Sequence, residues 1–73
     1  MLPSEMETLL SKALTKRNTS KNLERLLRIH NVLLEEIHHR VNAGLNTHLN
    51  FFAKMFTRVR IEITKRAAIL RKK

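Results

Sequence analysis

One apolar line constrains this chain more than any other feature. It reads Leu23, Leu27, His30, Leu34, Ile37, Val41, Leu45, Leu49, Phe52, Phe56, Val59, Ile63, Ala67 and Leu70. Thirteen steps cover the 47 residues from Leu23 to Leu70, a mean of about 3.6, which is the period of a straight α-helix and not the 3.5 of a supercoiled seam. The line is one face of helix, built to be buried. Leu26, Ile29 and Leu33 widen it on one side in its first half, and an arc that broad suits contact with more than one neighbouring helix.

What covers such a face depends on length. Seventy-three residues make at most one domain, 1–73, and a chain this short recovers only a small core, so partner chains are expected to complete it. One Gly, one Pro and no Trp, Tyr or Cys, against 42% hydrophobic and 29% charged residues, describe a helical chain with few turns. The predicted fold is all-α. The absence of cysteine excludes a disulfide framework and a thiolate zinc site and favours an intracellular location. The first residues, with Glu5 and Glu7 and no long apolar run, have the pattern of neither a secretory signal nor an Arg-rich transit peptide. No window reaches the roughly 18 apolar residues a membrane-spanning helix needs.

Taken in order, Ser4 and Glu7 have capping-box spacing, which predicts a short first helix over about 5–16. Lys16-Arg17-Asn18-Thr19-Ser20 suits a helix end followed by a turn, with Ser20 as the next N-cap. A second helix follows over about 21–43. Gly44 is the single internal breaker, a C-cap candidate followed by Asn46 as a possible N-cap, and a third helix runs over about 46–71. Two readings meet at Gly44. A hairpin leaves two matched helices; one continuous rod explains why the apolar line keeps its phase. The capping residues favour the hairpin.

The net charge of +9 is uneven. Residues 1 to 44 hold seven Lys/Arg against five acids, and residues 45 to 73 hold eight against one. The excess in the last helix, at Lys54, Arg58, Arg60, Lys65, Arg66, Arg71, Lys72 and Lys73, is more than solubility requires and makes these residues candidate contacts for nucleic acid or another acidic surface. A membrane surface is a poorer match, because the apolar face has no Trp.

Chemistry-bearing constellations are few. His30, His38, His39 and His48 include no pair at the i,i+3 or i,i+4 spacing that a helical metal site needs. No glycine-rich phosphate loop and no nucleophile–base set is present, so neither cofactor, metal nor enzymatic activity is expected. The stretch Val32-Leu33-Leu34-Glu35-Glu36-Ile37-His38-His39-Arg40-Val41, with Leu45 beyond, resembles the phosphoacceptor and dimerisation helix of HWE-type sensor histidine kinases. That resemblance implies His39 as phosphoacceptor and Glu36 as its acidic neighbour. It covers only residues 32–45, Asn42-Ala43-Gly44 departs from the family's Lys-Asn-Asn, and the residues after it leave no room for an ATP-binding domain.

Three functions are therefore expected of these residues. The first is a non-catalytic helical adaptor or structural subunit, contacting partner helices or a second copy of itself through Leu27, Leu34, Ile37, Val41, Leu49, Phe52, Phe56, Val59 and Ile63. The second is a basic helical DNA- or RNA-binding protein. The third is a histidine phosphotransfer or dimerisation module using His39.

Overall fold

The computed structural model describes residues 2–72 and contains three helices, α1 (Pro3–Leu14), α2 (Ser20–Asn42) and α3 (Leu49–Arg71), with no strand among the described residues. The rod reading is thereby excluded. α2 and α3 have 23 residues each, about 35 Å at 1.5 Å per residue. They form an antiparallel hairpin, against which the 12-residue α1 packs along about 18 Å, half the hairpin's length.

The turn explains the choice. Gly44 has φ +70°; the Leu45 N–H donates to the Arg40 carbonyl at 2.8 Å and the Gly44 N–H to the Val41 carbonyl at 3.1 Å. Those two bonds are the Schellman pair that satisfies the last carbonyls of a helix ending in a left-handed glycine. The apolar line's phase across the turn has no packing behind it, since Leu45 is exposed.

Helix starts differ from the expected caps. α1 begins at Pro3, whose missing N–H and fixed φ suit the first helical turn. Ser4 makes no cap; its carbonyl instead accepts the Thr8 hydroxyl at 2.9 Å. The N-cap of α2 is Thr19, one residue before Ser20, and its Oγ1 accepts from the Asn22 N–H at 3.2 Å. α3 starts at Leu49, three residues later than expected, after His48 in the left-handed region (φ 62°). Asn46 serves there through its backbone, its carbonyl accepting from the Leu49 N–H at 3.3 Å.

The core is one cluster: Met6, Leu10 and Ala13 of α1, Leu26 and Leu33 of α2, Phe52 and Val59 of α3. On the hairpin helices the buried positions fall seven apart, a spacing that returns to the same side of a helix after two turns. Both rows continue to an arginine at the next such position, Arg40 after Leu33 and Arg66 after Val59.

Candidate interaction site

Arg66 is buried at 7% exposure. It spends its donors inside the molecule. Nε bonds Glu62 Oε1 at 3.0 Å, Nη2 the Leu14 carbonyl at 2.9 Å and Nη1 the Lys16 carbonyl at 3.2 Å, while the Arg66 carbonyl accepts from Asn18 Nδ2 at 3.2 Å. A cation placed on the last carbonyls of α1 satisfies orphan acceptors and suits the negative end of that helix. Arg66 was expected among the anion contacts and is corrected here to an internal clamp. The clue lay in its position: it follows Phe52 and Val59 at steps of seven, with Glu62 four residues before it.

Because Arg66, Leu26 and Val59 turn towards α1, α1 covers one face of the hairpin. The groove beside it, lined by Leu9 and Ala13 of α1 and by Arg25, Arg28 and Ile29 of α2, lies on that same side. At about 100° per residue, Leu23, Leu27, Leu34 and Val41 sit about 80° round α2 from the Leu26–Leu33 row, and Leu49, Phe56 and Ile63 are displaced in the matching sense on α3. In an antiparallel pair these two rows share the face away from α1. The His30 ring lies 4.6 Å from that of Phe56, which ties the rows together at mid-hairpin. The Cα extents of 44 × 19 × 16 Å accommodate a single triangle of helices, so no further described part of the chain covers this second face.

The expected interface residues therefore separate. Phe52 and Val59 are fully buried in the chain's own core and have no surface to offer a partner. Leu34, Ile37, Leu49, Phe56 and Ile63 are half-buried on or beside the open face. Leu27 is 43% and Val41 58% exposed. No carboxylate interrupts this face; Arg60 and Arg71 stand at its α3 edge, and Glu24 beyond its α2 edge.

Of the remaining expected cations, Lys54, Arg58, Lys65 and Lys72 lie on the outer side of α3, and Arg60 and Arg71 where that side meets the open face. Lys54, Arg58, Arg60, Lys65, Arg71 and Lys72 are exposed; Lys73 lies outside the described residues. His39 is exposed on α2, and so is His38. Glu36, implied as the acidic neighbour of His39, pairs with Arg40, Oε1 to Nε at 2.9 Å. No group of three or more His, Cys, Asp or Glu residues that could hold a metal ion occurs among the described residues, and no described helix is long and apolar enough to cross a membrane. No family model, curated protein or solved structure matches the chain.

Proposed function

We infer that this chain is a non-catalytic helical adaptor or structural subunit, whose open hairpin face takes partner helices. The observation that carries the reading is the division of the apolar arc. One half is consumed by α1, and the other presents Leu27 and Val41 to solvent beside half-buried Leu34, Phe56 and Ile63. Large apolar side chains at helical spacing, with charge confined to the rim, suit helix-on-helix docking.

The rim points to a second copy as the occupant. The His30–Phe56 contact sets the register of the hairpin and places Glu24 about 3 Å along the axis from the level of Arg60. A second hairpin laid on the first by a two-fold axis parallel to the helices sets each α2 edge beside the other's α3 edge. Glu24 and Arg60 then meet twice, as a self-complementary interface requires.

Light scattering and circular dichroism over a concentration series test this together. The expected result is a helical dimer that Leu27→Asp converts to a monomer of unchanged helicity. Leu27 is the position of choice because a charge at buried Phe52 would unfold the chain itself. A monomer that keeps full helicity at every concentration overturns the second copy as occupant, and a Leu27→Asp dimer overturns the face.

A further inference from the structure

The outer side of α3 faces away from both α2 and α1, and it is unlike either face of the hairpin. Its centre is built from Thr57, Ile61, Thr64 and Ala68, with Ile61 56% exposed as its one large apolar side chain. Basic residues occupy both shoulders. Lys54, Arg58, Lys65 and Lys72 run along one; Arg60 and Arg71 stand on the other, about 125° away round the helix, where the outer side meets the edge of the open hairpin face. The only carboxylate of α3, Glu62, is bound to Arg66 on the side towards α1, so no acid of α3 itself offsets this surface.

Two cationic shoulders separated by a narrow strip of small side chains define the shape of the partner. A helix with side chains is about 10–12 Å across, and the major groove of B-form DNA is about 12 Å wide with a phosphate strand on either side. We propose that α3 binds duplex DNA by lying in the major groove, its two shoulders reaching the two phosphate backbones. From Lys54 to Lys72 the helix advances about 27 Å, and because the groove runs obliquely to the duplex axis this spans about four base pairs at 3.4 Å each. An anionic membrane fits less well, since Ile61 alone cannot anchor the strip in lipid. A-form RNA has a major groove too deep and narrow to admit the helix.

The same strip sets the specificity. The hydroxyls of Thr57 and Thr64 donate to the carbonyls of Ala53 and Arg60, both at 3.0 Å, so towards a base edge they can only accept, and Asn50 is the one side-chain amide on this side. Phosphate contacts position a protein without reading sequence. Binding is therefore general for B-form duplex and steep in salt.

Fluorescence anisotropy with the full chain and a labelled mixed-sequence duplex of about 20 base pairs tests the proposal. Some five or six phosphate contacts give a slope of log affinity against log salt near −5, about a thousandfold loss between roughly 50 and 200 mM. The double variant Arg58→Ala/Lys65→Ala reduces the slope by about two. Lys12→Ala/Arg28→Ala, beside the groove between α1 and α2, leaves it unchanged. All four residues are exposed, and circular dichroism verifies that each variant keeps its helices. A slope near zero overturns the proposal, as does an equal loss in both double variants, which would mean diffuse attraction to a +9 chain. Binding to phosphatidylserine vesicles without binding to the duplex overturns it in favour of lipid. Leu27→Asp separates this result from the adaptor reading, because it opens the hairpin-face dimer, in which Arg60 would pair with Glu24, and leaves the Lys54, Arg58, Lys65 and Lys72 shoulder untouched.

Discussion

The two ends of the hairpin are closed by the same device used over different distances. Each buried row, Leu26–Leu33 and Phe52–Val59, is followed seven residues on by an arginine that is paired to a glutamate four residues before it and bonded to backbone carbonyls beyond its own helix. At the turn, Arg40 Nη1 donates to the Thr47 carbonyl at 2.8 Å, seven residues away, and its guanidinium carbon lies 4.7 Å from the centre of the Phe52 ring. At the open end, Arg66 reaches Leu14 and Lys16, 52 and 50 residues away. Local closure steadies a loop; distant closure holds a whole element. What a buried cation contributes is thus decided by which carbonyls it satisfies, and replacing the two arginines in turn separates those roles.

Arg66→Ala has the larger effect. It strands the α1 carbonyls and unpairs Glu62, for an expected loss of about 3 kcal/mol, a large share of the roughly 4–11 kcal/mol that a chain of this size has. Urea unfolding measures the loss. Hydrogen exchange should accelerate first over Pro3–Leu14, as α1 undocks before the hairpin opens; uniform acceleration across all three helices would show that the two closures are not distinct. Arg66→Lys should recover only part of the loss, because an ammonium lacks the planar fork that serves three acceptors here.

Arg40→Ala is expected to cost about 1–2 kcal/mol. The side chain is more exposed than that of Arg66, 14% against 8%, and its ion pair and ring contact are individually modest. Exchange should rise around Ala43–Leu49 and leave α1 protected. A loss equal to that of Arg66→Ala would break the comparison, since it would make the local closure as important as the distant one.

The sequence made the turn legible because a lone glycine among polar residues has few other uses, and the three helices followed from it within a few residues at each end. The division of the apolar arc was not legible. Leu26 and Leu27 are adjacent and chemically identical, and the average period selects Leu27; the position of α1 makes Leu26 the core residue and leaves Leu27 exposed. Arg66 was misread for a related reason. Charge predicts solvent, and only the three-dimensional meeting of α1's C-terminal carbonyls with α3 turns that cation inward. The outer cations, which no element packs against, stand where helical spacing places them.

The smallest effects belong to the turn itself, where two left-handed residues lie four apart. At Gly44 an added Cβ meets nothing within 4 Å, so Gly44→Ala isolates the backbone cost of φ +70° and should destabilise by about 1 kcal/mol. His48, at φ 62°, already bears that cost, and its side chain makes no cap for α3. His48→Gly relieves the strain but gives the unfolded chain more freedom, and the two terms nearly offset. The expected gain is therefore below about 0.5 kcal/mol, measured as a shift of the urea midpoint at constant m. A clear loss on His48→Gly would mean that the imidazole holds the turn through a contact of its own, and that the turn end is closed by more than Arg40.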